Sequence, residues 1–371
     1  MYADAASHTE VMKPGDQLVT ARKSLARGSN SMAATSSKAV LITGANVGLG
    51  KEVARQLALA GDFDRIYLAC RNADSGRSAA AELERITGRS IFTVIRMDLT
   101  DLDSVRSAPS TLDGELHSVV MNAGGTGGPT PLALTADGVT HVFGSNVLGH
   151  VVLLENLIDA GALTNTAVLV GSEAARGVRM MRMPRPTFAN HSVEEFVSVI
   201  DGSFFAQHKF NTFLAYGQVK YLGALWMSAL ARKHPGLRLL TVSPGNTAGT
   251  NALRDMGPVT RTLMNHLMLP YVLPALGVGH QLEKGAQRLV DGVTDEQLRS
   301  GVFYASRPGA VTGPLVDQSE IVADFRDPVI QQHADEAIHR FAKKPRSHRE
   351  SPLRAIGADG ASSGPTERGL S

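Results

Sequence analysis

Thr43-Gly44-Ala45-Asn46-Val47-Gly48-Leu49-Gly50 follows the apolar run Ala39-Val40-Leu41-Ile42 and precedes Lys51-Glu52-Val53-Ala54-Arg55-Gln56-Leu57-Ala58-Leu59. The run has the pattern of a buried strand, and the residues after the glycines have helical spacing. Strand, glycine turn and helix are expected in that order. Glycine accepts positive φ and lets a backbone come close to a ligand. The first N–H groups of the helix, at the positive end of its dipole, attract a pyrophosphate. The turn therefore implies a dinucleotide held at Gly44, Asn46, Val47, Gly48, Leu49 and Gly50. Its Gly-x-x-x-Gly-x-Gly spacing differs from the commoner Gly-x-Gly-x-x-Gly, and alone it is compatible with an ordinary glycine-rich turn.

Outward from this turn, short apolar runs alternate with helical spacing. Residues 65–70 form a second strand ending in Cys70, followed by Arg71 and a helical stretch. At that corner a dinucleotide fold meets the adenosine ribose, where an acidic residue binds the 2′-OH and an arginine accommodates a 2′-phosphate. Arg71 is the candidate for the phosphate, against the plainer reading of a solvated loop residue. A third strand, 91–97, ends at Asp98-Leu99. Asp98 is either an acceptor for the adenine amino group or one of three competing helix caps with Thr100 and Asp101. Strand 116–121 runs into Asn122-Ala123-Gly124-Gly125, a second glycine-rich end on the same sheet edge, with the Asn122 amide expected to tie neighbouring strands.

Residues 141–158 have the pattern of one long apolar helix. Asn146 inside it is either a kink with a ligand role or a satisfied core amide. Strand 167–171 delivers Ser172, at a position where serine is commonly a cap. Tyr216 and Lys220 stand four apart on a helix and share a face. Strand 237–242 ends at Ser243-Pro244-Gly245, and 301–304 supplies a seventh strand. This alternation predicts an α/β fold with one doubly wound parallel sheet.

The bulk properties bound the function. A chain of 371 residues that is 43% hydrophobic can bury a large core, and a net charge of +2 without a clustered basic face predicts no nucleic-acid partner. One cysteine, Cys70, excludes an internal disulfide and fits a reducing compartment. No His/Cys spacing suits a metal, so none is expected. No apolar run reaches the length of a membrane span and no signal-peptide core stands near the start, so a cytoplasmic protein without an integral membrane segment is expected. Residues 1–37 lack periodicity and read as a flexible leader. Met32 is an alternative start, and Asp4, Glu10 and Asp16 count against a transit peptide. Residues 346–371, rich in Ser, Gly, Pro and charge, read as a disordered tail.

Taken together, residues 38–344 resemble the short-chain dehydrogenase/reductase family. The resemblance rests on Thr43-Gly44-x-x-x-Gly48-x-Gly50, Asp98, Asn122-Ala123-Gly124, Asn146, Ser172, Tyr216-x-x-x-Lys220 and Pro244-Gly245, all in the family's order. Ala69-Cys70-Arg71-Asn72, Thr135-Ala136-Asp137-Gly138, Asn146-Val147-Leu148-Gly149-His150 and the long step from Ser172 to Tyr216 look like the retinol dehydrogenase and protochlorophyllide reductase branch. Three departures are a methionine, Met121, for a frequent asparagine, Gly171 for a common serine, and a displaced threonine after Pro-Gly, with Gly249-Thr250 in that region. Light-driven reduction is argued against, because Cys70 lies at the adenosine corner.

The resemblance implies a single Rossmann-type domain over 38–345 with NADP(H) as cofactor. Tyr216 is then the proton donor, its pKa lowered by Lys220 and an oxidised nicotinamide together, while Lys220 also hydrogen-bonds the ribose, Ser172 polarises the substrate oxygen and Asn146 holds a water linking Lys220 to solvent. The cofactor contacts implied are Arg71, Asp98, Leu99, Asn122, Ala123, Gly124, Pro244 and Gly245 beside the glycine turn, with Tyr216 and Lys220. Residues 173–215 and an apolar stretch at 251–277, read as a C-terminal substrate lid, would shape a pocket for a hydrophobic small molecule. A homodimer is left open. The expected activity interconverts a carbonyl and an alcohol; reduction of a conjugated C=C bond and a catalytically silent NADP(H) sensor are the alternatives.

Overall fold

The structure, a computed structural model, describes residues 37–247 and 279–342. The leader before Ser37, the tail and the lid stretch 251–277 lie outside the described residues.

The chain opens with β1 (Ala39–Thr43), α1 (Gly48–Ala60), β2 (Arg65–Cys70), α2 (Ala73–Thr87), β3 (Phe92–Arg96), α3 (Leu102–Ser107) and β4 (Leu116–Met121). All five residues of β1 are buried, because helices cover both faces of the sheet. Its side chains alternate between two cores. Ala39 and Leu41 join one cluster with residues of α3, and Val40 and Ile42 join the other with Val53 and Leu57 of α1. That alternation is the period of a strand read on both faces.

The helix expected over 141–158 is instead three pieces: α4 (His141–Phe143), a π-helical turn over Gly144–Leu148, and α5 (Gly149–Asp159). A π turn carries one extra residue per hydrogen-bonded ring, and such turns concentrate at functional sites. β5 (Leu163–Val170) begins earlier than expected, because Leu163 pairs with Leu116 across an irregularity in the register. Then come two 3-10 turns at Glu173–Arg176 and Arg179–Met181, followed by α6 (Val193–Asp201), α7 (Phe204–Gln207), α8 (Thr212–Lys233) and β6 (Arg238–Val242).

After the undescribed segment come α9 (Leu282–Thr294), β7 (Phe303–Ala305), β8 (Val316–Asp317) and α10 (Pro328–Ala342). The order of the eight described strands is β3-β2-β1-β4-β5-β6-β7-β8. All neighbours are parallel except β8, which runs antiparallel to β7 at the edge. A doubly wound sheet is confirmed, with an antiparallel edge that a two-residue strand gives no sequence pattern for. The order in which strands are added reverses at β1, which lies between β2 and β4 and pairs in parallel with β4 through Val40 and Ser118. Ligands of open α/β sheets bind at the carboxyl ends on either side of such a reversal. No described helix is long and apolar enough to cross a membrane.

Candidate active site

The carboxyl ends of β1 and β4 meet across the reversal. Gly44 and Gly48 have φ of +66° and +55°, so the turn uses the left-handed conformation that glycine permits. A Cβ on Gly50 would stand 2.6 Å from the Gly44 carbonyl oxygen and 2.5 Å from Asn122 Nδ2, so backbone and amide are as close as a glycine allows. Asn122 Nδ2 donates to the Thr43 carbonyl at 2.9 Å, tying the two strand ends as expected. Val47, the N-cap of α1, is extended and offers no side-chain acceptor to the first turn. Those uncapped N–H groups fit an anionic group, and Gly48, Leu49 and Gly50 are the residues that could hold a pyrophosphate.

Beside this turn, Asn72 caps α2 by accepting from Ser75 N at 3.0 Å. Ser75 Oγ also accepts from Asn46 Nδ2 at 3.1 Å, which fixes the glycine turn to the corner after β2. Arg71 stands exposed there, and Cys70 is buried with its thiol pKa raised by that burial. The two readings of Asp98 divide in the same region. Asp101 caps α3 through Asp103 N, while Asp98 Oδ1 accepts from Thr100 N at 3.0 Å and Thr100 Oγ1 at 2.7 Å. Leu99 is buried against α5, where a Cβ on Gly149 would run into its carbonyl oxygen.

Asn146 lies in the π turn, fully buried, with both amide atoms hydrogen-bonded. Nδ2 donates to the carbonyls of Gly125 and Val142, both at 2.8 Å, and Oδ1 accepts from Gly125 N at 3.1 Å. A satisfied core amide and a kinked helix thus coincide. The side chain locks the glycine-rich end of β4 to the helix.

Two neighbours had not been singled out from the sequence as site residues. His150 Nδ1 donates to the Asn146 carbonyl (3.0 Å), Thr43 Oγ1 donates to His150 Nε2 (2.9 Å), and Ala123 N donates to Thr43 Oγ1 (3.0 Å). Burial holds the His150 pKa down at about 4, so the ring is neutral and can accept from threonine. The available sequence signal was a polar residue four positions after Asn146 on an otherwise apolar helix.

Ser172 closes β5 and caps the following 3-10 turn, accepting from Ala174 N at 3.2 Å. Its side chain also lowers the pKa of Tyr216, against the larger effect of burial. Lys220 Nζ lies 5.7 Å from the centre of the Tyr216 ring and donates to the Val170 carbonyl at 2.8 Å. Serine, tyrosine and lysine are therefore brought together, from β5 and one face of α8. The expected acidity is not. Burial pushes Tyr216 up to about 12, opposed by the Ser172 side chain, and burial lowers Lys220 to about 8. Desolvation outweighs the attraction expected from the neighbouring ammonium. Pro244 and Gly245 follow β6 on the same edge, with Gly245 at φ +76°. Gly249 and Thr250 lie outside the described residues.

The short chain dehydrogenase family model matches residues 38–184, a span that includes the glycine turn, Asn122-Ala123-Gly124, Asn146 and Ser172. The chain is 33% identical over 213 residues to retinol dehydrogenase 11 of Homo sapiens, covering 56% of this chain and 60% of that protein. It is 33% identical to retinol dehydrogenase 12 of Mus musculus, covering 56% and 61%. It is 29% identical to chloroplastic protochlorophyllide reductase B of Hordeum vulgare, covering 71% and 69%. The matched region thus spans about three fifths of the two retinol dehydrogenases. Among solved structures, salutaridine reductase from Papaver somniferum has the same fold, with a TM-score of 0.52 at 19% identity over 72% of this chain and all of that one. The motifs stand in order along the chain, the sheet reverses where the glycine turn and Asn122 meet, and the family model covers the first half of the site. By these observations residues 38–184 match the short chain dehydrogenase family, and the chain is similar to the short-chain dehydrogenase/reductase oxidoreductases in motifs and fold.

Proposed function

We propose that this protein is an NADP(H)-dependent enzyme interconverting a carbonyl and an alcohol on a hydrophobic small molecule. The observation that carries the reading is the Tyr216 phenol, whose pKa Ser172 influences and whose ring centre lies 5.7 Å from Lys220 Nζ, at the carboxyl edge of the sheet. The uncapped start of α1 would hold the pyrophosphate and Arg71 a 2′-phosphate, and the nicotinamide would supply the hydride. Ser172 orients the substrate oxygen. Tyr216, protonated at neutral pH, gives a proton to that oxygen, which is the state that carbonyl reduction calls for. Lys220 replaces the proton on the phenol side.

An apolar substrate is supported by Phe213, three residues before Tyr216 on the same helix face, and by Phe210; both are exposed large hydrophobics. The reading takes the protein to be cytoplasmic, on its single, reduced cysteine.

The test is Tyr216→Phe assayed with NADPH against aldehydes, ketones, quinones and enones. Turnover should fall about 10²- to 10⁴-fold while NADPH binding persists, as for loss of a general acid. Turnover within about threefold of the parent, small on that scale, removes the assignment. Turnover confined to enones moves the reaction to C=C reduction, and a parent that binds NADPH without turnover is a sensor.

A further inference from the structure

Behind Ser172 lies a buried ionic cluster that the proton transfer above does not use. Glu173, the next residue, is 4% exposed, and Arg288 of α9 is 5% exposed. Glu173 Oε2 accepts from Ser243 Oγ at 2.5 Å. Its Oε1 accepts from Ser306 Oγ at 2.8 Å and Ser306 N at 3.1 Å, and lies 3.6 Å from Arg288 Nη1. Ser243 Oγ in turn accepts from Gly245 N at 3.1 Å, and Arg288 Nη1 donates to the Ser243 carbonyl at 3.2 Å. A Cβ on Gly245 would stand 2.9 Å from Arg288 Nη1, so the loop after β6 rests directly on the guanidinium.

Every polar atom of the Glu173 carboxylate is thus engaged, and its partners come from the ends of β6 and β7 and from α9. A buried ion pair adds little to stability compared with a well-packed apolar replacement. Its value here is geometric. One rigid carboxylate joins the backbone that carries Ser172 to the backbone of Pro244 and Gly245.

We propose that Glu173 is a positioning residue, whose carboxylate clamps the Ser172 turn to the Ser243–Gly245 loop and so sets the distance between the substrate-orienting hydroxyl and the nicotinamide side of the cofactor site. This rests on the NADP(H) reading above. The adenosine side of that site, at Arg71 and Asn46, shares no residue with the clamp.

The experiment measures dissociation constants for NADPH and for 2′,5′-adenosine bisphosphate, the adenosine half alone, in the parent, Glu173→Gln and Ser243→Ala, with melting temperatures alongside. Ser243→Ala removes the link to Gly245 but leaves Glu173 paired with Arg288, so it keeps the test decisive if Glu173→Gln does not fold. Losing a hydrogen bond to a charged group should weaken NADPH about tenfold, with the adenosine half changed less than about twofold. Where a substrate is in hand, kcat should fall more than KM rises. Equal weakening of both ligands, or no change in either for a folded variant, overturns the clamp. A parent that binds neither ligand overturns the cofactor reading first and the clamp with it.

Discussion

Replacing His150 with leucine tests the relay that joins the end of β1 to the π turn. Leucine fills about the volume of imidazole, so the change removes hydrogen bonds without opening a large cavity. It leaves the buried Thr43 hydroxyl proton with no acceptor, and such an orphan costs about 1–3 kcal/mol. At pH 7 the variant should be less stable by that amount. The pH dependence is the sharper readout. The folded ring titrates at about 4 against an ordinary 6.5, so between those values the unfolded chain takes up a proton that the folded chain refuses. Stability therefore rises with pH across this window and is lost as pH falls, at about 1.4 kcal/mol per unit and about 3 kcal/mol in all. His150→Leu lacks this loss, whereas His280, also held near 4 chiefly by burial, keeps its own share in both proteins. The two stability curves should approach each other in acid and meet near about pH 5 on the same scale. Urea unfolding at pH 7, 6, 5 and 4.5 measures them. A gap that stays constant across the series refutes the buried neutral histidine.

Arg71→Ala should weaken NADPH about tenfold while leaving NADH nearly unchanged, because only the former offers a 2′-phosphate to a guanidinium; equal effects in a binding titration return Arg71 to a solvated loop. Gly50→Ala should lower both stability and dinucleotide affinity, although alanine is the better helix former by about 1 kcal/mol, since the new Cβ would lie 2.6 Å from the Gly44 carbonyl oxygen; a melting temperature at or above the parent's refutes that conflict. At the far end of the molecule, His339 of α10 lies 3.0 Å from Glu155 of α5, and the hydrogen bond to that carboxylate raises its pKa. This contribution is complete below the ordinary histidine pKa and disappears as pH rises through the raised value, so His339→Gln should flatten the fall in melting temperature between pH 6 and 9. Parallel melting curves for the two proteins exclude the pairing.

Much of the site was legible because it sits at strand ends, where a buried apolar run stops at a polar or glycine residue. Gly44, Asn122, Ser172 and Pro244 each follow such a run, and the shared sheet edge follows from parallel strands alone. The π turn was not legible, because Gly144-Ser145-Asn146-Val147-Leu148 fits an α-helix equally well and only the claims of Gly125 and Val142 on the Asn146 amide decide. The effect of burial on Tyr216 was not legible for a related reason. Spacing reveals the nearby lysine, but desolvation depends on packing that no local pattern encodes. The partners of Glu173 stand far along the chain, at Ser243, Arg288 and Ser306, and no spacing rule joins them.

The π turn has a consequence for residue counting. In an α-helix each residue turns the chain by about 100°, so one residue more or fewer moves everything beyond it to another face. The widened turn over 144–148 is in effect a built-in offset, and it lets Asn146 serve the β4 loop while His150 reaches Thr43. Removing one residue there would yield a more regular helix and a misaddressed histidine. At this point of the chain length itself carries information, so related sequences should vary in residue type within the segment far more freely than in residue number.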